Sequence, residues 1–314
     1  MAHISPIPAA KNEDSLSGFF FALSAYLMWG FLPLYLKELA HIPAVEVIAH
    51  RILWSLPIAG AVLIAMRRTA ELRVALRTPK MVGMAMVTAA LISVNWGIYV
   101  WSIAAGRVLD TALGYYINPL FSILLGAMLL KEPLAQAQKW AVALAAAAVL
   151  VLTVEAGRLP LISLSLMLSF GFYAYFKKSL PIGPNQGFFL EILVLSPFAL
   201  GYVIYLQITG ESHFLQGNGF DNWMLIGCGL VTAVPLMLYG NGARRLRMST
   251  IGIMQYIAPT MIFVTAVFVF NEPFELAKLF AFAMIWLALL IYSFSLLRTA
   301  RRRRDDKGLQ GRLI

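Results

Sequence analysis

Apolar residues run along the chain in long blocks, separated by short breaks rich in charge, proline or glycine. The hydrocarbon core of a bilayer is about 30 Å thick, and a helix needs roughly 20 largely apolar residues to cross it. Ten blocks meet or approach that length: 16–36, 46–66, 81–101, 111–130, 139–155, 160–176, 188–208, 223–243, 250–270 and 278–297. The fifth and sixth are short and only Gly157-Arg158-Leu159-Pro160 divides them, so they read either as two spans or as a merged, re-entrant pair. The first block is too long for the apolar core of a signal peptide and carries Tyr26, Trp29 and Pro33, which predicts a retained first helix. Between the second and third blocks, Arg67 to Lys80 is basic with Leu72 and Leu76 four apart, the pattern of a short interfacial helix. The pattern as a whole predicts an all-α integral membrane protein.

Composition agrees: 60% of residues are hydrophobic and 13% charged, against about a quarter charged in a soluble domain. That balance excludes an ordinary soluble enzyme, and it excludes disorder, which needs low hydrophobicity and high charge. The net charge of +10 raises the question of nucleic acid. Its placement answers it. With both termini cytoplasmic, 20 Lys and Arg fall in cytoplasmic segments, against Lys37, Arg107, Arg158 and Lys278 outside; Arg51 lies within a span. A bias of that size is the topogenic signature of a multi-pass protein, so no nucleic-acid partner is implied. The run Arg301-Arg302-Arg303-Arg304 is suited to anionic lipid headgroups.

The chain also repeats itself. At an offset of 140 residues Arg107 matches Arg247, Tyr116-Ile117 matches Tyr256-Ile257, Pro119 matches Pro259 and Glu132-Pro133 matches Glu272-Pro273. Tyr99 pairs with Tyr239 and Pro57 with Pro197, and near the start Gly30-Phe31 pairs with Gly171-Phe172 at 141. Five spans per half is an odd number, so the second half enters the bilayer inverted. The expected organisation is a cytoplasmic segment 1–15, a five-helix repeat 16–155, an inverted repeat 156–297 and a basic cytoplasmic tail 298–314. Inverted repeats typify secondary transporters, with the substrate site at the repeat interface near mid-depth.

These residues resemble a known family. Two five-helix halves, each closing its fourth span with a Glu-Pro step, resemble the EamA family of the drug/metabolite transporter superfamily. Within it, Ala49-His50-Arg51-Ile52-Leu53-Trp54-Ser55, Asn95-Trp96-Gly97-Ile98-Tyr99-Val100-Trp101 and Gly114-Tyr115-Tyr116-Ile117-Asn118-Pro119-Leu120 are similar to the RarD permeases, as is Gln255-Tyr256-Ile257-Ala258-Pro259-Thr260. The resemblance implies a ten-helix inner-membrane permease with a central cavity, exporting small metabolites. The group's name is tied to chloramphenicol sensitivity, and relatives in the superfamily export amino acids. Substrate, direction, coupling ion and oligomeric state stay open.

Polar side chains inside hydrocarbon are costly and usually face the bundle interior. At about 1.5 Å of rise per residue, Asn95 and Asn118 reach nearly the same depth from opposite ends of their spans. They are candidates to meet one ligand, or to bond neighbouring helices. Tyr99 shares a face with Asn95, and Tyr26 and Trp29 stand near the same level, giving amides beside aromatic walls that suit a small amphipathic solute. Pro119 and Pro259 each free the carbonyl four residues earlier, at Tyr115 and Gln255, and are candidate hinges. Tyr116 and Tyr256 are candidates to flank the cavity. Arg51 reads as a structural charge, snorkelling toward Asp110 or Glu46 or stacking on Trp54. Glu191 reads as a partner of Lys177 or Lys178, or, with His50, as a proton-coupling group. Asp110-Thr111 and Ser249-Thr250 read as helix caps. One cysteine and four dispersed histidines offer no metal site, and no cofactor or catalytic motif is present. An uncoupled channel-like facilitator, a lipid flippase and a membrane enzyme remain as competing classes, the last weakened by the lone Glu191.

Overall fold

A computed structural model describes residues 15–129, 134–157, 159–178, 182–216, 219–243, 245–246, 250 and 254–310. Glu132-Pro133, Arg158, Arg247 and Ser249, together with residues 1–14, lie outside the described residues, as do the side chains of Lys178 and Arg301 to Arg304.

The described chain is an all-α bundle. In order it forms α1 (Leu16–Glu38), α2 (Ala44–Ala65), α3 (Thr69–Leu76), α4 (Pro79–Ala104), α5 (Val108–Leu129), α6 (Gln136–Ala156), α7 (Leu161–Lys178), α8 (Pro184–Thr209), α9 (Gly219–Ala243), α10 (Ile257–Val264, continued by a π-helical turn Thr265–Val269) and α11 (Leu276–Gln310). Eight of these are long and apolar enough to cross a membrane; α7 and α10 are shorter apolar helices. Large apolar side chains such as Phe198, Ile208 and Phe294 face outward, as a lipid-facing surface requires.

Local chemistry sets the ends. The Ser15 hydroxyl accepts from the Gly18 N–H to cap α1, and Pro79 and Pro184 open α4 and α8, where a missing N–H costs nothing. The fifth and sixth blocks are two helices: Gly157 takes φ +60° and ends α6, and α7 starts at Leu161. The basic linker folds as the amphipathic α3, which buries Ala75 against Leu190. Asp110 is not an N-cap. α5 starts two residues before it, and Asp110 instead pairs with Arg107 at 2.6 Å.

The packing is consistent with inverted repeats. Exchanging α1, α2, α4 and α5 with α7, α8, α9 and α10 maps contact α1–α9 onto α7–α4, α2–α9 onto α8–α4, and α5–α7 onto α10–α1, all of which are present. The pairs α2–α8, α5–α10 and α6–α11 map onto themselves. Gly30 and Gly171 show why glycine repeats. A Cβ on Gly30 would overlap Met261 of α10, and a Cβ on Gly171 would overlap Phe121 of α5, an equivalent residue at the equivalent crossing. Absence of a side chain lets each pair of helices close on the same knob.

Candidate functional site

One stripe from each of several helices converges on a cavity of about 130 Å³. On α4 the stripe is Ile92, Asn95, Trp96 and Tyr99; on α9 it is Thr232, Leu236 and Tyr239; both follow the three-four spacing of one helix face. α1 contributes Tyr26, Trp29 and Leu32, α2 contributes Arg51, α5 contributes Tyr115 and Asn118, and α7 contributes Phe170. Gln255, Ala258, Pro259 and Ile262 close the wall at the start of α10.

Twelve of the eighteen wall residues obey the repeat, while Arg51 and Asn95 have no lining counterpart. Ile92 and Thr232, Trp96 and Leu236, Tyr99 and Tyr239, Tyr115 and Gln255, and Asn118 and Ala258 are each 140 apart, and Trp29 and Phe170 are 141 apart. Both members of every pair face the cavity. The offset therefore carried a signal for Thr232, Leu236, Tyr239 and Phe170, none of which lies in a motif that singles it out alone.

Two amides share this cavity and behave differently. Asn95 is held by protein: its Nδ2 donates to the Leu166 carbonyl (3.1 Å) and to Ser169 Oγ (3.0 Å), and its Oδ1 accepts from the Tyr115 hydroxyl (3.0 Å). It ties α4 and α5 to α7. Asn118 is buried with its Oδ1 unpartnered. Aromatic rings pack edge-on or tilted around both, with Tyr26, Trp29 and Tyr239 at centroid distances of 5.4–5.8 Å and Tyr99 against Tyr115 at 5.6 Å.

Arg51 does not snorkel. It is 3% exposed and faces the cavity. Its Nε donates to Thr232 Oγ1 at 3.0 Å, and its guanidinium lies over Trp96, not Trp54, at 5.0 Å from the centroid. Trp54 instead donates to His50 Nδ1 at 3.1 Å. His50 is turned away from the cavity and packs on Phe214. Glu191 is also off the wall: Lys177 Nζ bonds both of its carboxylate oxygens at 2.7 Å, and Tyr173 donates at 3.3 Å.

Tyr116 and Tyr256 are not part of the cavity wall. Position 115 shares its face with 118, and 255 with 258 and 259, so the next residue along points about 100° away. Tyr116 meets the Thr260 hydroxyl at 2.7 Å and packs edge-on with Phe282 and Trp286. Tyr256 packs against the main apolar core. Pro259 is on the wall; Pro119 is within α5, beside it.

At one end of the bundle, polar contacts join the halves. Glu46 accepts from the His213 N–H and pairs with its ring at 2.8 Å, and His41 meets Asp221 at 3.1 Å. Glu272 closes the set: its carboxylate accepts from the Val108 and Leu109 N–H groups at 2.6 and 2.8 Å, capping the start of α5. Burial pushes the Glu272 carboxyl above its usual range, while these two donors pull it the other way. The Glu-Pro step is thus a cap across the halves. Among the described residues no group of His, Cys, Asp and Glu is placed to hold a metal.

The EamA-like transporter family model matches residues 16–154, the first half. Protein RarD of Streptomyces exfoliatus is 42% identical over 295 residues, covering 94% of this chain and 93% of that one. The chain belongs to the RarD group of the EamA transporters. An uncharacterized transporter of Vibrio cholerae serotype O1 is 40% identical, covering 93% of this RarD-like chain and 98% of the relative. A solved crystal structure superposes on 90% of the chain and 98% of its own with a TM-score of 0.59, at 18% identity, a likeness of fold alone. This RarD-like protein is a multi-pass bacterial inner-membrane transporter of small solutes and not a catalytic enzyme.

Proposed function

We propose that the chain is a secondary permease that exports small amphipathic solutes by alternating access. The organisation proposed is ten spans as two inverted five-helix repeats, 16–155 and 156–297, with both termini cytoplasmic. The observation that carries the reading is a cavity to which six repeat-related pairs of residues contribute, one member from each half. A site built that way is met by both halves, so tilting one half against the other moves its opening from one face of the membrane to the other. Apolar rings with a few polar groups suit an amphipathic solute better than an ion or a sugar.

Three further features support the mechanism. Pro119 inside α5 removes a helix hydrogen bond, its repeat partner Pro259 sits in the first turn of α10, where a missing N–H breaks none, and a π-helical turn ends α10, giving α5 and α10 places to flex. Glu272, Glu46 and Asp221 join the halves at the outer end of the proposed topology, where they act as the closed gate. Lys177–Glu191 and the Gln186–Glu71 bond at 2.6 Å stand at the inner end. Proton coupling through His50 or Glu191 would have to reach the cavity from neighbouring helix faces. The arginine-rich tail rests on anionic lipid.

The test is export. Cells producing the protein and loaded with a panel of labelled amino acids, hydroxy acids and chloramphenicol should retain at least one of them less than cells producing the Asn118→Ala variant. Equal retention of the whole panel by both would contradict the reading. Efflux unaffected by collapse of every ion gradient and of the potential would identify an uncoupled facilitator instead.

A further inference from the structure

Arg51 stands in an unusual position for a charged side chain in a membrane bundle. It is nine-tenths and more buried, faces the cavity, and has an Nη1 with no hydrogen-bond partner. It is the single charged residue among the cavity's described walls. The carboxylates that might neutralise it are engaged elsewhere: Glu46 with His213, Asp110 with Arg107, Glu191 with Lys177, Asp221 with His41. Glu71 is bonded by Gln186, and Glu272 by the backbone of α5. No described ion pair includes Arg51.

A buried, uncompensated cation is costly, and a fold keeps one where a mobile counter-charge completes it. The surroundings also fix its aim. Thr232 holds Nε while itself donating to the Cys228 carbonyl at 2.7 Å, and Trp96 supports the flat face of the guanidinium. What remains is the Nη edge, a planar donor fork matched to a carboxylate. One cation with no second positive group suits a monoanion and not a phosphate dianion. The same walls contain no carboxylate to receive an ammonium. Asn118 Oδ1 adds an empty acceptor for a hydroxyl or N–H donor, and the rings enclose an apolar body.

Resting on the permease reading, we propose that Arg51 is the anion anchor of the cavity and that the solute class is the small monocarboxylate. Its body is aromatic or branched and carries no fixed positive charge, as in the 2-hydroxy acid counterparts of apolar amino acids.

The experiment is counterflow in proteoliposomes of the purified full chain, with 3-phenyllactate, its neutral amide, phenylalanine, 2-hydroxy-4-methylpentanoate and chloramphenicol as probes. The wild-type protein should exchange the two hydroxy acids about tenfold faster than the amide or the zwitterion, the factor a charge-assisted hydrogen bond supplies. Arg51→Gln should lose that preference and keep an apparent Tm at or above wild type, because it removes an unpaired buried charge. Arg51→Lys, with charge but no fork, should fall between. Equal exchange of acid and amide by wild type, or an acid preference that survives in Arg51→Gln, overturns the anchor. Should Arg51→Gln yield no folded protein, the wild-type order of acid over amide decides alone. Exchange of chloramphenicol or phenylalanine without the hydroxy acids sinks this proposal and leaves the permease reading standing. Exchange of no probe at all contradicts both.

Discussion

At the scale of single residues, the two cavity amides separate transport from stability. Asn95 spends its amide on Leu166, Ser169 and Tyr115, so Asn95→Ala removes three interhelical bonds. At roughly 0.6 kcal/mol for each such bond, the loss should be about 1–2 kcal/mol of stability, visible as a lower Tm in detergent. Asn118 Oδ1 bonds nothing in the protein. Asn118→Ala should leave Tm near wild type and slow transport about tenfold, the worth of one solute hydrogen bond. Transport loss confined to Asn95→Ala would reverse these roles. Both amides were legible in the sequence because polar atoms in an apolar run are conspicuous. Their difference was not, since Leu166 and Ser169 reach Asn95 across 71 and 74 residues of chain. Arg51 misled for a related reason. Counting residues from a span end gives depth, whereas its partner Thr232 lies on α9, at an angle around α2 that depth does not define.

At the scale of elements, the crossings follow from what is absent and what is capped. Gly30→Ala and Gly171→Ala each place a methyl group against a knob of the neighbouring helix. Each should cost about 1–3 kcal/mol, with similar values because the two crossings are equivalent. Thermal unfolding of the two variants checks this; a neutral change at either site would argue against close packing there. Glu272→Ala strips the acceptors from two N–H groups at the start of α5 and should cost about 1 kcal/mol, with Glu272→Gln restoring part of it. The eight long apolar helices were legible, because apolar block length is a physical requirement of the bilayer. Helix starts were less so. α5 begins at Val108 through a carboxylate 164 residues away, so the local Asp110-Thr111 cap signal pointed three residues too late. Tyr116 and Tyr256 lay beyond reach in the same way: a proline marks a level in the helix, and a face is set by rotation.

At the scale of the whole molecule, the repeat did most to reveal the site. The second-half wall residues Leu236 and Ala258 are chemically quiet, yet each is the partner of a conspicuous first-half residue, Trp96 and Asn118. Net transport of a monocarboxylate moves charge. Efflux from proteoliposomes should therefore speed up when a potassium diffusion potential makes the interior negative, and should not respond to a pH gradient alone. Acceleration by the pH gradient instead would point to proton coupling through Glu191 or His50. A cavity between the halves that opens alternately to each face is reached by site-directed labelling. Cys228 is the chain's one cysteine and is buried, so a Cys228→Ser background with Ala258→Cys places a single thiol on the cavity wall. A membrane-impermeant thiosulfonate, applied to right-side-out and to inside-out vesicles, should label that thiol from both faces, and a transported solute should protect it. Labelling from one face alone, unaffected by any transported solute, would rule out alternating access at this cavity.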